Sequence, residues 1–275
     1  MILVFGRTGQ VATELARQAD VLALGRAEAD LMQAGAAADA IARHAPRVVI
    51  NAAAWTAVDA AEADEDSAHR LNADAPAEMA RACARAGIPL LHVSTDYVFD
   101  GGGSSAWAEG DPVSPLGAYG RTKLAGEEAI RVSSARHVIL RTAWVFSSHG
   151  ANFVKTMLRL SETRDHLRVV ADQIGGPTPA ADIAATLLRL ADTQAHGTYH
   201  YAGAPETSWA GFAEEIFRQA GRAVHVEHIP SRDYPTPAQR PLNSRLNCAK
   251  LATEFGINQP AWRDGLSRVL KELGV

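Results

Sequence analysis

Cysteine is scarce in this chain of 275 residues, which contains only Cys83 and Cys248. Two thiols cannot build a disulfide framework, and so low a content is typical of a reducing compartment. Lysine is also scarce, because almost all basic residues are arginine. The four lysines are Lys123, Lys155, Lys250 and Lys271. With so few, a lysine inside a tight motif is a stronger signal than usual.

The chain also lacks an excess of positive charge and any long apolar run. Its 27 basic and 31 acidic residues give a net charge of −4, which argues against nucleic acid as a partner. No apolar stretch approaches the roughly 20 residues of a membrane-spanning helix. The opening MILVFGRTG has no basic start and reaches Gly6 too early for a signal peptide. We therefore expect a cytoplasmic globular protein with no membrane partner.

Short apolar runs alternate with helical patterns through residues 1–146. The predicted strands are Ile2–Phe5, Val21–Leu24, Val48–Ile50, Pro89–Val93 and His137–Phe146. The predicted helices are Val11–Ala19, Ala36–His44, Ala68–Ala86 and Tyr119–Ser133. Strands that are apolar on both faces predict a parallel sheet covered by helices on both sides. The predicted fold class is therefore α/β, with a doubly wound parallel sheet of the Rossmann type.

The second half of the chain is less regular. Two helices (Asn152–Ser161 and Ala180–Ala191) and a strand (Gly197–Tyr201) are predicted before the proline-rich loop, Pro230–Asn247, which holds four prolines and should be irregular. Helical patterns at Ala249–Phe255 and Trp262–Leu273 follow it. We expect a Rossmann domain over 1–146, with 178–200 returning to it. Residues 147–177 and 201–275 should form a smaller C-terminal α/β substrate domain.

A glycine-containing turn joins the first predicted strand to the first helix. Such a turn lets the backbone approach a pyrophosphate, which the N-terminus of the helix then stabilises. A two-glycine turn alone is a weak signal, but its place after the first strand of an α/β pattern strengthens it. The predicted cofactor-binding residues of this turn are Gly6, Arg7, Gly9, Gln10 and Val11.

The tip of the second strand reads Gly25-Arg26, where a protein that binds NAD usually carries an acidic residue for the ribose hydroxyls. Glycine leaves room and Arg26, with Arg7 beside it, suits a 2′-phosphate, so NADPH is predicted, with NADH as the alternative. The other interpretation of Arg26 is an ordinary surface arginine. Asp30 comes slightly later and could hold the ribose or the adenine.

A catalytic pair is indicated by Tyr119 and Lys123, which are one helical turn apart and therefore share a helix face. An ammonium near a phenol lowers the pKa of the phenol, which can then exchange a proton near neutral pH. Thr95, at the end of the fourth strand, should face the same site and hydrogen-bond the substrate oxygen or the phenol. The alternative is a surface helix pair, which is rare by chance in a chain with five tyrosines and four lysines.

Two residues of the proline-rich loop, Arg240 and Asn243, are candidate substrate ligands. Arginine forms bidentate hydrogen bonds with phosphates, so this loop could hold a diphosphate. A surface turn is the alternative. The ten histidines show no metal-ligand spacing, and no metal site is predicted from them.

Several stretches of the sequence match the motifs of a known family. The stretches that carry the comparison are FGRTGQV (5–11), STDYVFDG (94–101), YGRTKLAGE (119–127), RTAWVF (141–146) and RPLNSRLN (240–247). With others they span nearly the whole chain in order. The chain resembles the extended short-chain dehydrogenases/reductases, and within them the dTDP-4-dehydrorhamnose reductases.

The resemblance implies a role for several residues. Tyr119 would donate the proton, with Lys123 as its partner and Thr95 tuning it. Asp96 and Trp144 would contact the substrate. The implied cofactor contacts beyond the glycine turn are Asp30, Leu31, Ala54, Trp55 and Thr56.

The reaction implied is reduction of the C4 carbonyl of dTDP-4-dehydro-L-rhamnose to dTDP-L-rhamnose with NADPH or NADH. Members of the family often have Asp where Gly25 stands, and this difference favours NADPH. Some members bind Mg²⁺ through glutamates at a dimer interface, near the position of Glu14, so a homodimer and a Mg²⁺ requirement are left open. Two alternatives remain. One is a nucleotide-sugar epimerase that keeps NAD tightly bound, and the other is a non-catalytic regulatory subunit of the same fold.

Overall fold

The computed structural model describes residues 1–133 and 135–275. Its strands, in chain order, are β1 (Ile2–Phe5), β2 (Val21–Leu24), β3 (Val48–Asn51), β4 (Leu90–Thr95), β5 (His137–Thr142), β6 (Val145–Phe146), β7 (His166–Val170), β8 (Ile174–Gly175), β9 (Thr178–Pro179), β10 (Gly197–His200), β11 (Thr207–Ser208), β12 (His225–Ile229) and β13 (Asn243–Ser244).

The helices cover both faces of the main sheet and the C-terminal part of the chain. They are α1 (Gln10–Gln18), α2 (Ala36–His44), α3 (Val58–Ala63), α4 (Glu65–His69), α5 (Ala75–Ala86), α6 (Ala118–Arg131), α7 (Phe153–Ser161), α8 (Ala180–Ala191), α9 (Trp209–Gln219), α10 (Ala249–Phe255) and α11 (Trp262–Leu273). A π-helical turn, Arg70–Asp74, joins α4 to α5, and a 3₁₀ turn, Asp96–Val98, follows β4.

Six parallel strands form the main sheet in the order β2-β1-β3-β4-β5-β10. The chain runs outward from β1 to β2 and then crosses back to β3, so the strand order reverses beside β1. Ligands of open α/β sheets bind at such a reversal, outside the carboxyl ends of the strands. This arrangement confirms the predicted doubly wound Rossmann sheet.

Alternating side chains of the strands separate two hydrophobic cores. Ile2 and Val4 of β1 face the core shared with α1 and α8, whereas Leu3 and Phe5 face the core shared with α2 and α5. This alternation is the two-residue period of a strand buried on both faces. A third core is centred on Trp262, which is completely buried, and it joins α7, α9 and α11 to the strands β7 and β12.

Two elements differ from their prediction in ways that shape the cleft. The strand predicted over His137–Phe146 is broken, because Trp144 adopts a φ of 49° and turns the chain between β5 and β6. The helix predicted over Ala68–Ala86 contains the π-helical turn, which places Asn72 against a loop beyond β3. In the described ranges, no helix combines the length and the apolar character that crossing a membrane demands.

Candidate functional site

A cleft of about 760 Å³ lies at the carboxyl ends of the central strands. Most residues singled out in the sequence line it. These are Gly6, Arg7, Gly9, Gln10, Val11, Arg26, Asp30, Leu31, Ala54, Thr56, Thr95, Asp96, Tyr119, Lys123 and Trp144. The fold therefore brings the glycine turn and the Tyr–Lys pair, more than 100 residues apart in sequence, into one cavity.

The glycine turn forms the end of the cleft beneath α1. Gly6 has a φ of 101°, and a Cβ there would lie 3.2 Å from the backbone of Ala52 and Ala53. Both features favour glycine, since side-chain-bearing residues rarely adopt such a φ. Gly9 caps α1 without a side-chain hydrogen bond, so the first N–H groups of the helix are available to an anion. This end of the cleft fits a pyrophosphate.

The tip of β2 carries an acidic group that the sequence motif did not reveal. Glu28 accepts a hydrogen bond of 3.0 Å from the Gly25 amide and forms an ion pair with Arg7. These hydrogen bonds, the Gly25 amide foremost, lower the pKa of Glu28. Arg26 is 80% exposed, with only a long 3.8 Å ion pair to Asp30. Arg26 is therefore the arginine at this tip that is more available to a 2′-phosphate, while Glu28 neutralises Arg7.

Two glycines of α6 position the catalytic pair. A Cβ on Gly120 would lie 2.3 Å from the carbonyl oxygen of Tyr97, and one on Gly126 would lie 2.1 Å from that of Asn72. Helix α6 can therefore pack this closely on the 3₁₀ turn and the π-helical turn only with glycine at both places. This packing fixes Tyr119 and Lys123 at the wall of the cleft.

The half-buried phenol of Tyr119 stays protonated at neutral pH. Burial raises its pKa to about 12, and the Thr95 hydroxyl offsets part of this rise. The expectation that the Lys123 ammonium lowers the pKa of Tyr119 below its ordinary value is therefore wrong. Lys123 Nζ is instead engaged by two groups of β4, at 2.8 Å from the Val93 carbonyl oxygen and 3.2 Å from His92 Nε2. A phenol that stays protonated at neutral pH is suited to giving a proton to an alkoxide, which is the stronger base.

Two buried polar atoms in the cleft lack a hydrogen-bond partner among the residues that the structure describes. They are Oδ2 of Asp96 and the hydroxyl oxygen of Thr142, and both residues line the cleft. Oδ1 of Asp96 accepts a 3.1 Å hydrogen bond from Thr95, and burial raises the pKa of Asp96 to about 6. Thr142 is the register partner of Thr95 on the adjacent strand. Buried polar atoms are normally satisfied, so these two are suited to polar groups of a ligand.

An aromatic wall closes the side of the cleft nearer the C-terminal core. Trp144 stacks on Trp209 with ring centroids 3.7 Å apart and an angle of 13° between the ring planes. Trp209 Nε1 donates a 3.1 Å hydrogen bond to Gln173, which holds the stack in place. Trp209 could not be identified from the sequence, because its stacking partner Trp144 lies 65 positions away and no motif links the two.

Three of the predicted ligands lie outside the lining of the cleft. Trp55 is held through its backbone by both polar groups of the Asn72 amide, at 2.8 and 3.2 Å. Arg240 forms a bidentate ion pair with Asp59, at 2.9 and 2.8 Å. Asn243 donates to two carbonyl oxygens of the loop that follows β4. Each of these side chains or backbones thus has partners within the protein, and their contact with a ligand stays a prediction.

Within residues 1–133 and 135–275, one cluster of side chains has the residue types that bind metal ions. It consists of Glu14, His149 and Glu272, which lie close together. Arg17 already supplies the positive charge, because its guanidinium lies 3.0 Å from Glu14, 3.1 Å from His149 and 3.1 Å from Glu272. A divalent cation would have to displace this arginine from all three partners. The cluster as arranged therefore does not fit a metal ion.

Comparison with known proteins agrees with this geometry. The family model described as "RmlD substrate binding domain" matches residues 1–275. The chain belongs to this family. It is 42% identical to a dTDP-4-dehydrorhamnose reductase of Sinorhizobium fredii, over 98% of this chain and 96% of the relative. It is 40% identical to one of Escherichia coli, over 99% and 97%.

Solved structures of dTDP-4-dehydrorhamnose reductases have the same fold as this chain. A dTDP-4-dehydrorhamnose reductase of Clostridium acetobutylicum superposes with a TM-score of 0.95 at 37% identity, covering 100% of this chain and 99% of that one. The enzyme of Bacillus anthracis, solved in complex with NADP, has a TM-score of 0.95 at 32% identity and covers 98% of both chains. A UDP-glucose 4-epimerase of Thermus thermophilus bound to NAD shares the fold, with a TM-score of 0.83 at 18% identity over 99% and 98% of the chains.

Proposed function

We propose that this chain reduces the C4 carbonyl of dTDP-4-dehydro-L-rhamnose to give dTDP-L-rhamnose, with NADPH as the reductant. The observation that carries the proposal is the single cleft that joins the glycine turn to Thr95, Tyr119 and Lys123. The near-complete match to reductases of this substrate supports the choice of sugar. The epimerase likeness extends to the fold alone.

The residues of the cleft fit a dinucleotide cofactor. Its pyrophosphate would be held by the N–H groups after Gly9, its adenosine by Asp30 and Leu31, and its 2′-phosphate by Arg26. When bound, NADPH supplies the hydride that reduces the carbonyl carbon. The NADP complex of the Bacillus anthracis relative supports this choice.

The chemistry assigned to the protein is proton donation and orientation. Tyr119 gives its phenolic proton to the oxygen of the reduced carbonyl, and its pKa of about 12 keeps that proton in place at neutral pH until it is needed. The Thr95 hydroxyl holds the same oxygen. Asp96 and Thr142, with their free buried atoms, bind sugar hydroxyls, and Trp144 covers an apolar face of the ring.

We propose a corresponding division of labour along the chain. Residues 1–146 together with 178–200 hold the cofactor, and residues 147–177 and 201–275 hold the nucleotide sugar. In support, β10 is paired with β5 in the main sheet, whereas β7 and β12 pair only with each other. Contacts with the nucleotide, remote from the reacting carbon, can help to orient the carbonyl.

Turnover of dTDP-4-dehydro-L-rhamnose with NADPH, with the product identified by NMR, tests the proposal. We expect dTDP-L-rhamnose, and much lower kcat/KM for the GDP-linked sugar and for the free sugar. Equal turnover of either would overturn the substrate assignment. Stoichiometric NAD in the purified protein would favour an epimerase. Firm binding of a partner protein without turnover of any keto-sugar would favour a regulatory subunit.

A further inference from the structure

Two buried side chains form a line with the catalytic lysine. Asn51 at the end of β3, His92 in β4 and Lys123 in α6 are each at most 1% exposed. Asn51 Nδ2 lies 3.0 Å from His92 Nδ1, and His92 Nε2 lies 3.2 Å from Lys123 Nζ. Neither Asn51 nor His92 lines the cleft. The side chain of His92 reaches the cleft through Lys123, whereas Asn51 also contacts the backbone of Ala53, which lines the cleft.

The position of hydrogen atoms along this line follows from a backbone group at its far end. The N–H of Ala53 lies 3.1 Å from Asn51 Oδ1. A backbone N–H can only donate, so the atom facing it must be the amide oxygen of Asn51. The amide nitrogen therefore faces His92, where it donates to Nδ1. Nδ1 must accept, and it carries no proton.

A neutral imidazole has one proton, which must then be on Nε2. Burial moves the pKa of His92 well below its ordinary value, so the ring is neutral. Its Nε2–H points at Lys123 Nζ. Only an uncharged amine has a lone pair to accept this hydrogen bond, and such an amine can still donate to the Val93 carbonyl oxygen at 2.8 Å.

The other arrangement places two donors against each other. An ammonium at Lys123 would donate to Nε2 and move the ring proton to Nδ1. That proton would then face the NH₂ group of Asn51 at 3.0 Å. The charged lysine and the Asn51–His92 hydrogen bond thus exclude each other as long as Nζ stays beside the ring.

We infer that His92, with its tautomer fixed by Asn51, holds Lys123 as an uncharged amine as long as Nζ lies beside the ring, and that Lys123 takes up a proton only when Nζ leaves this position. His92 is thus a positioning residue for the catalytic lysine. This role rests on the proposed function, in which Lys123 lies beside the proton donor.

Burial brings the uncharged form of Lys123 within reach of neutral pH but does not by itself make it the main form. It lowers the pKa of Lys123 to about 8, and the Glu127 carboxylate opposes this fall, so the Nε2–H of His92 that faces Nζ must supply the rest. That carboxylate is already held by Arg141 and Arg131, at 2.7 and 2.6 Å, so it gives little compensation to a lysine ammonium. On the cleft side, Asp96, Tyr97 and Tyr119 are the titratable groups of the adjoining elements, and none of them is a hydrogen-bond partner of Nζ.

The direct test is the tautomer of His92 in the purified protein without cofactor. Long-range ¹H–¹⁵N spectra distinguish a protonated ring nitrogen from an unprotonated one, and His92→Gln assigns the signals. We expect Nε2 protonated and Nδ1 unprotonated at neutral pH. A proton on Nδ1, or a doubly protonated ring, would overturn the inference. The measurement needs no substrate, so its failure is distinct from a failure of the proposed function.

A second test reverses the tautomer. In Asn51→Asp a carboxylate replaces the amide, so it can accept from both the Ala53 N–H and Nδ1–H. The ring should then carry its proton on Nδ1, and its Nε2 should accept a hydrogen bond from a charged Lys123. The pH dependence of kcat/KM contains a step that reports the ionisation of Lys123 (the lysine limb), and the apparent pKa of this step should rise by about one unit or more. An unchanged tautomer would contradict the inference.

The negative charge of Asn51→Asp could act on Lys123 without the ring, and a double variant separates the two effects. In the His92→Phe background, Asn51→Asp should move the pH limb much less than in the wild type. An equal shift in both backgrounds would show that the charge acts directly and that His92 transmits nothing. If His92→Phe does not fold, the tautomer of the His92 ring in Asn51→Asp alone tests the inference.

The control variant is His137→Gln, which changes a buried histidine of β5 remote from the cleft. It should leave the apparent pKa of the lysine limb unchanged.

Discussion

Gly126→Ala tests whether the close packing of α6 positions the catalytic pair. The added Cβ would lie 2.1 Å from the carbonyl oxygen of Asn72, and this oxygen belongs to the backbone and cannot rotate away. Overpacking of this kind costs about 1–3 kcal/mol. Alanine regains about 1 kcal/mol because it favours the helix more than glycine does. A contact of 2.1 Å with a backbone atom belongs at the upper end of this range, about 2–3 kcal/mol, so we expect a net loss of roughly 1–2 kcal/mol, or a fall in Tm of about 2–8 °C for a chain of this size.

The same displacement should reach the chemistry. Helix α6 must move away from the π-helical turn, and Tyr119 and Lys123 move with it. A shift of about 1 Å in a catalytic group can cost on the order of 100-fold in rate. Thermal unfolding and kcat are measured together, with Gly110→Ala as the control, because a Cβ there meets nothing within 4 Å. If Gly126→Ala melts at the wild-type temperature and keeps the wild-type kcat, α6 does not position the pair as argued.

Three further predictions concern the cofactor and pH. Arg26→Ala should reduce the ratio of kcat/KM for NADPH to that for NADH, because the 2′-phosphate loses its exposed arginine; an unchanged ratio would move the selectivity elsewhere. Glu28→Gln should raise the same ratio by releasing Arg7 from its ion pair, and a fall would contradict the role given to Glu28. Because burial raises the pKa of Asp96 to about 6, its carboxylate form is lost below that pH, so kcat/KM should fall there. Asp96→Asn should remove this limb, and its persistence would assign it to another group.

The parts of the site that could be predicted from the sequence are those carried by local spacing. Tyr119 and Lys123 are one helical turn apart, and the glycine turn directly follows β1, so both were recognisable before the fold was known. The alternation of short apolar strands with helices likewise predicted the main sheet. Each strand, helix or motif in these signals can be recognised from its own neighbouring residues.

The parts that escaped prediction depend on contacts between distant segments or on backbone geometry. No spacing rule joins His92 to Lys123, or Trp144 to Trp209. The left-handed turn at Trp144 could not be expected for a residue with a bulky side chain, and it broke the strand predicted over His137–Phe146. The lowered pKa predicted for Tyr119 failed for a similar reason, because the direction of the lysine amine is set by His92 and Val93 on another element.

The central claim, that Tyr119 donates the proton in reduction of a 4-keto sugar, is tested most directly by Tyr119→Phe. The measurement is kcat with dTDP-4-dehydro-L-rhamnose beside the Kd for NADPH, and Tyr97→Phe, the other cleft tyrosine, is the matched control. General acid catalysis contributes about 10²–10⁴-fold, so kcat of Tyr119→Phe should fall by that factor while the Kd stays nearly unchanged. Tyr97→Phe should lose far less. A loss below about tenfold in Tyr119→Phe, with the chemical step rate-limiting, would contradict the account, because it falls short of what a general acid contributes.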